Sequence, residues 1–118
     1  MPKIIELAKA ALDRDDLEVR SIVQDLWREK QPLASLAKPD TNEPRVLSMA
    51  AGLVELLAQQ WGQAPPTWTK DIGAMPEPFE MKKYADIMEY VRFQCKTESP
   101  QPLRKRNLFA LPNYLKFA

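Results

Sequence analysis

Apolar side chains recur every three or four residues through residues 1–30, which is the period of an amphipathic helix. The polar run at 13–16 divides them into two stripes, so the pattern predicts a helical hairpin. Asp15 and Glu18 have the spacing of a capping pair that would begin the second helix, and Pro32 is expected to end it. The second stripe includes Trp27, which we therefore expect in the core.

The next apolar segment, residues 44–61, is apolar around nearly its whole circumference. A helix of this kind is usually buried on several sides, so residues 44–61 should form the central element. Pro44 suits the first turn of a helix, where a missing N–H donor costs nothing, and Gly62 suits the position after the last turn. Trp61 lies on the apolar side and is also expected in the core.

Residues 62–79 are rich in proline and carry Trp68. Loops beyond about 12–15 residues are usually functional or disordered, and the aromatic content argues against disorder. We expect an ordered loop that packs Trp68 and Ile72 onto the helices. Residues 80–96 then regain helical spacing and predict a further helix, with Cys95 on its apolar stripe as a small buried hydrophobe.

Residues 97–118 follow neither helical nor strand spacing, yet large apolar side chains continue almost to the end. Because terminal segments are usually polar and frayed, this one should either fold back onto the domain or dock elsewhere. Pro100 and Pro102 bracket a short helical turn. Residues 107–111 could form a strand, but one strand has no partner. The fold expected is all-α: a single domain over 1–118 with four to five helices, a long ordered Pro/Trp-rich loop and an irregular C-terminal tail.

Composition limits the possible partners and compartment. The formal net charge is +1, so no global field attracts the chain to nucleic acid or to an anionic membrane. The charge is uneven, because the last twenty residues carry four of the seventeen basic side chains and no acidic one. No apolar run approaches the roughly 20 residues needed to cross a bilayer. The single cysteine rules out an internal disulfide and suits a reducing compartment, so we expect a cytoplasmic protein without membrane contact.

The sequence lacks most of the residues that catalytic sites commonly use. The chain has no histidine, which removes the commonest general base and excludes Ser/His/Asp and Cys/His nucleophile systems. One cysteine cannot build a zinc site, and the three glycines form no phosphate-binding loop. Asp13, Asp15 and Asp16 could coordinate a hard cation such as Mg²⁺, although a polar turn explains them more simply. We predict no catalytic residue, no metal site and no cofactor.

Two features suggest a binding partner. Trp68 could present an exposed aromatic anchor or could form a lid on the helical core, and the lid is favoured. The basic triplet 104–106 could dock on an acidic protein surface, or it could bind phosphate while Phe109 or Tyr114 stacks on a base. It could also face water from a short helix whose leucine packs inward. Three adjacent charged residues point in different directions around a helix, which argues against one contiguous basic patch.

The second half of the chain carries a recognisable order of short motifs. An Ala/Leu-rich helix at 50–58 is followed by Pro-Pro-Thr-Trp-Thr at 65–69, Glu-Pro-Phe at 77–79, and Pro-Gln-Pro-Leu-Arg-Lys-Arg with a hydrophobic end at 100–111. This order resembles small uncharacterised bacterial helical proteins, and C-terminal portions of some helix-turn-helix regulators, found around toxin–antitoxin and mobile-element loci. The resemblance covers about half of the chain, implies an antitoxin-like or accessory binding role, and transfers no catalytic residue.

We therefore expect a non-enzymatic protein-binding module, antitoxin-like or an accessory subunit, whose partner is another protein such as a toxin or an enzyme subunit. Apolar anchors of the C-terminal segment would enter a partner groove and its arginines would pair with acidic groups at the rim, so that a chain lacking 107–118 would fold but not bind. The predicted partner-binding residues are Trp68, Arg104, Lys105, Arg106, Phe109, Leu111 and Tyr114. The alternatives are a nucleic-acid-binding protein or regulator that uses the basic triplet and, third, a metal-dependent carboxylate enzyme. A homodimer that buries the apolar helix 44–61 also stays open.

Overall fold

Helix α3 (Pro44–Trp61) is the element on which the other elements pack. The computed structural model describes residues 3–81, 93, 97–110 and 114–115, and α3 lies within the first of these ranges. Its buried residues lie on several faces, because its sequence is apolar nearly all round. Gly62 ends it at a φ of 65°, a left-handed conformation that glycine adopts without strain. These bounds are the ones the sequence predicted.

Helices α1 (Lys3–Leu12) and α2 (Asp16–Glu29) form the predicted hairpin. The Asp15 carboxylate accepts a hydrogen bond from the Glu18 backbone N–H at 3.2 Å, which confirms the predicted N-cap of α2. Lys30 closes the helix in the left-handed region at a φ of 55°. Helix α1 packs against both α2 and α3, and the apolar stripes of the hairpin are therefore buried between the three helices.

Trp27 departs from the predicted core. Its side chain is 60% exposed, because it lies at the edge of the α2 stripe whose centre is formed by Val23 and Leu26. The Trp27 ring meets the ring of Trp61 in an edge-on contact, with centroids 5.2 Å apart and planes at 62°. Trp61 itself is only partly buried. The prediction that Trp27 is core was wrong, and the tryptophan pair lies at the surface.

The connecting segments are ordered by short 3₁₀ turns and by hydrogen bonds. Leu33–Ser35 and Thr67–Asp71 form the two turns. The indole N–H of Trp68 donates to the carbonyl oxygen of Leu36 at 2.9 Å, which joins the two segments. Trp68 also packs against the core, while Ile72 is half-buried. The long Pro/Trp loop is therefore structured, as its aromatic content predicted.

Two short strands pair in parallel, and this corrects a strictly all-α fold. Strand β1 (Phe79–Glu80) lies beside β2 (Leu108–Phe109), with Phe79 opposite Leu108. The Phe79 N–H donates to the Asn107 carbonyl at 2.8 Å, and the Met81 N–H donates to the Phe109 carbonyl at 2.8 Å. The molecule is mostly helical, but the strand suspected at 107–111 has a partner after all. Two residues are too few to show a strand period in the sequence.

The C-terminal segment folds back onto α3. Helix α4 (Gln101–Arg104) and β2 supply Leu103 and Leu108, both fully buried. They reach α3 at Gly52, where an added Cβ would lie 3.0 Å from Leu103 Cδ2 and 3.2 Å from Leu108 Cδ1. Ala110 and Leu115 are buried as well. These side chains belong to the core, so we now expect removal of 107–118 to unfold the domain, contrary to the expectation from sequence.

The helix predicted over 80–96 lies mostly outside the described residues. At its predicted start, Glu80 belongs to β1. Phe93, Thr97 and Glu98 are helical, and the Thr97 hydroxyl donates to the Phe93 carbonyl at 2.9 Å. Cys95 is outside the described part. Among the described residues, no helix is both long and apolar enough to cross a membrane.

Candidate functional site

A buried ion pair joins α3 to the turn after α4. Arg106 Nη1 and Nη2 donate to the two carboxylate oxygens of Glu55 at 2.8 and 3.0 Å, in the bidentate fork that arginine favours. The same nitrogens donate to the carbonyl oxygens of Pro102 at 3.0 Å and Thr69 at 2.8 Å. Arg106 is 3% exposed. Its guanidinium therefore ties three segments of the chain together.

The carboxylate of Glu55 is stabilised in its charged form. Burial acts to raise the pKa of Glu55, but hydrogen bonds from Arg106, Lys105 and Thr69 outweigh that effect, so its pKa lies below the ordinary value. Lys105 Nζ lies 2.9 Å from Glu55 Oε1 and its side chain is 51% exposed. One carboxylate thus holds one buried and one exposed cation.

Local backbone geometry turns Arg106 inward and leaves its neighbours outside. The chain reverses at Asn107, whose φ is 63°, and the Asn107 side-chain amide donates to the Met75 carbonyl at 2.9 Å. The Met75 N–H in turn donates to the Arg106 carbonyl at 3.0 Å. Arg104 and Lys105 are exposed, and the ammonium group of Lys105 reaches Glu55 from the solvent side.

A pocket of about 320 Å³, which we call the basic pocket, opens beside this ion pair. Three cationic side chains and one carboxylate line it, together with a short stretch of the Pro/Trp loop. The lining residues are Glu55, Lys70, Ile72, Gly73, Ala74, Lys105 and Arg106. Because Glu55 neutralises Arg106, Lys70 and Lys105 give the pocket a positive charge. The arrangement can hold an anionic group, and the carboxylate of Glu55 is already engaged by Arg106 and Lys105.

The structure separates the predicted basic residues into two groups. Arg104 and Lys105 are exposed, and Arg104 Nη1 donates to the Thr97 carbonyl at 3.2 Å. Arg106 pairs with Glu55 inside the chain, so the expectation that it pairs with acidic groups of a partner is corrected. The side chains of Lys105 and Arg106 converge on Glu55, whereas Arg104 bonds elsewhere.

The predicted aromatic residues do not form one exposed face. Trp68 is half-buried with its N–H bonded to Leu36, which is the lid arrangement. Phe109 is half-buried on β2. Tyr114 is partly buried against the core, and burial, with a smaller effect from the charge of Asp16, raises the pKa of its hydroxyl. Leu111 lies outside the described residues.

Sequence reasoning missed several residues at the surface and at the pocket. Lys70 follows the Pro/Trp motif and Glu55 lies on the apolar helix, and nothing in the sequence places either near the basic triplet. The exposed Trp27 was assigned to the core. Only the isolated charge of Glu55 within an apolar segment hinted that it needs a buried partner, since buried carboxylates are nearly always paired.

One aspartate of the turn between α1 and α2 has a structural role. Asp15 caps α2, as described above, and among the described residues no group of three or more Cys, Asp or Glu side chains is placed to hold a metal ion. Comparison with known proteins found no family model, curated protein or solved structure that matches this chain.

Proposed function

We propose that this protein is a non-enzymatic binding module that docks an acidic segment of another protein at the basic pocket. The observation that carries the proposal is the pocket itself, in which Lys70 and Lys105 flank an ion pair that is already neutral. Arg104, exposed beside Lys105, extends the positive surface beyond the pocket. A positive surface of this kind steers the diffusional encounter with acidic partners and disfavours basic ones.

The size and charge of the pocket favour carboxylate side chains of a peptide. A volume of about 320 Å³ accommodates one or two acidic side chains. Lys105 is held toward the pocket by Glu55 and is half exposed, so it can donate to an incoming carboxylate without a large rearrangement. Arg106, which is buried and bidentate, acts by holding the walls of the pocket in place.

Nucleic-acid binding through the same segment is the second candidate. With Arg106 inside, the described part of the segment presents Arg104 and Lys105, joined by Lys70. Three cations neutralise few phosphates, whereas phosphate neutralisation supplies essentially all of non-specific affinity. Trp68 has its N–H bonded to Leu36 and its side chain partly buried, so it is a poor stacking platform.

An antitoxin-like or accessory role is part of this proposal. Two of the short motifs that carry the resemblance, 65–69 and 100–106, meet at the pocket, because the Thr69 carbonyl accepts a hydrogen bond from Arg106. The partner expected from this chemistry has an acidic exposed segment.

Selection of peptides from a random display library tests the proposal. We expect the selected peptides to be rich in Asp and Glu. Their affinity should weaken about tenfold or more in Lys70→Glu, since a repulsive charge replaces an attractive one. Lys38→Glu is the matched control, because Lys38 is an exposed lysine outside the basic pocket.

Two results would overturn the proposal. One is the selection of peptides without acidic residues. The other is equal weakening by Lys70→Glu and Lys38→Glu, which would show a nonspecific effect of net charge. A single-stranded oligonucleotide in the same assay decides the second candidate, which requires tight binding at low salt and a steep loss as salt is raised.

A further inference from the structure

Another pocket, of about 360 Å³, lies between the start of α1, the end of α2 and the segment 36–40. Its walls include four large aliphatic side chains. Ile4 and Leu26 are buried, and Ile5 and Leu36 are half-buried. Sites for small molecules usually enclose about 300–1,000 Å³ and combine apolar walls with a few polar groups. This pocket, which we call the apolar pocket, has the size and the lining of such a site.

Hydrogen bonds hold the segment 36–40 in place as one wall of the apolar pocket. The Leu36 carbonyl accepts a hydrogen bond from the indole N–H of Trp68 at 2.9 Å. The Pro39 carbonyl accepts one from the Thr41 N–H at 3.0 Å. Because this wall is fixed before a ligand enters, binding has little ordering cost to overcome.

Two sets of charges border the apolar pocket. Lys3 and Glu29 form an ion pair between α1 and α2, so their charges cancel. Lys38 and Asp40 are both exposed and flank the buried Pro39. Neither of their side chains makes a hydrogen bond or an ion pair with another residue in the described part of the chain. The rim therefore offers one available cation and one available anion, two residues apart.

We propose that the apolar pocket binds a free amino acid with a large apolar side chain, such as leucine or phenylalanine. Lys38 pairs with the α-carboxylate, Asp40 pairs with the α-ammonium group, and the apolar side chain of the ligand lies against Ile5 and Leu26. Burial of that side chain supplies the hydrophobic part of the affinity.

The charges of the rim select this class of ligand. A fatty acid would leave Asp40 without a counterion, and an aliphatic amine would leave Lys38 without one. An α-amino acid carries both charges on groups attached to a single carbon atom, so it can meet two oppositely charged side chains that lie close together in the chain. Complementary charge of this kind gives specificity.

Methyl NMR of the full chain labelled at isoleucine tests the inference, because both pockets contain an isoleucine. On titration with L-leucine, the signals of Ile4 and Ile5 should shift and saturate, while the signal of Ile72 in the basic pocket should not. Isocaproate lacks the ammonium group of leucine, leucinamide lacks the carboxylate, and glycine lacks the side chain. Each should bind about tenfold more weakly than leucine, or weaker still.

Substitutions of exposed residues test the site without disturbing the core. Lys38→Gln and Asp40→Asn should each weaken leucine binding about tenfold or more. Lys9→Gln, at an exposed lysine of α1 outside the apolar pocket, is the matched control. Ala37→Leu should block the pocket, which Ala37 lines, whereas Ala34→Leu, at an exposed alanine outside it, should not. The thermal midpoints of these variants should match that of the native chain.

Three results would overturn the inference. The first is the absence of shifts at Ile4 and Ile5 in millimolar leucine. The second is binding of isocaproate or leucinamide as tight as that of leucine, and the third is equal weakening by Lys38→Gln and Lys9→Gln. The two pockets are separate, so Lys38→Gln should bind acidic peptides normally and Lys70→Glu should bind leucine normally. Failure of one proposal therefore leaves the other intact.

Discussion

Arg106 and Glu55 are 51 residues apart in the sequence, yet their side chains form a bidentate pair that fastens the C-terminal segment to the central helix. Truncation of Glu55 leaves the buried charge of Arg106 without its counterion, which typically costs about 3–5 kcal/mol. We expect Glu55→Leu to lose stability on this scale, and Arg106→Met to lose less, because Lys105 still pairs with Glu55.

The double variant Glu55→Leu with Arg106→Met should lose clearly less stability than the sum of its single variants, since no charge is left behind. Urea unfolding of all four proteins gives the coupling free energy. Lys105→Met is the control, because Lys105 is half exposed and should lose only about 0.2–1 kcal/mol. Strict additivity of the two single variants would show that the pair contributes nothing as a unit.

Acid should weaken the fold through Glu55. Its pKa is lower in the folded chain than in the unfolded chain, where it is about 4.3. A carboxylate whose pKa is lowered on folding stabilises the folded state at pH values above its unfolded pKa. That stabilisation is lost as the pH falls through the pKa of the folded state. The free energy of unfolding should therefore decrease below about pH 4. In Glu55→Gln the decrease should be smaller, as urea unfolding between neutral and acidic pH would reveal. An unchanged pH profile in that variant would assign the acid sensitivity to other carboxylates.

Gly52→Ala should destabilise the protein although alanine is the better helix former. The helix preference favours alanine by up to about 1 kcal/mol. However, the new Cβ would lie 3.0 Å from Leu103 Cδ2 and 3.2 Å from Leu108 Cδ1, and both leucines are fully buried with little room to move. Overpacking of this kind costs about 1–3 kcal/mol, so the midpoint of thermal unfolding should fall.

Gly73→Ala is the matched control for that substitution. No atom lies within 4 Å of a Cβ at Gly73, and its backbone is not in the left-handed region. The change should therefore leave the thermal midpoint unaltered or raise it slightly by restricting the unfolded chain. A rise in both variants would mean that α4 and β2 shift readily on α3.

Trp68→Phe should show whether Trp68 acts as a structural lid or as a binding anchor. The substitution keeps an aromatic ring but removes the N–H that donates to the Leu36 carbonyl at 2.9 Å. We expect a loss of about 1 kcal/mol in the free energy of unfolding and unaltered affinity for acidic peptides. Ala37→Ser, at the exposed residue that follows Leu36, provides a baseline for the unfolding measurement. A loss of peptide affinity with unchanged stability would instead make Trp68 an anchor.

The sequence by itself determined the three long helices. Their apolar periodicity, the aspartate cap before α2, and the proline and glycine at the two ends of α3 are local signals, and each depends on residues within a few positions of one another. Local signals also established that the Pro/Trp loop would be ordered and that the last segment would need burial.

Tertiary structure alone decided where that burial occurs and which charges remain available. The contacts of Leu103 and Leu108 with Gly52, the pairing of β1 with β2, and the Arg106–Glu55 bond all join residues distant in the chain. No periodicity encodes such contacts, because they depend on how the segments fold back on one another. For the same reason, the sequence could list three adjacent cations, but only the fold shows that one is buried and that Lys70 takes its place at the surface.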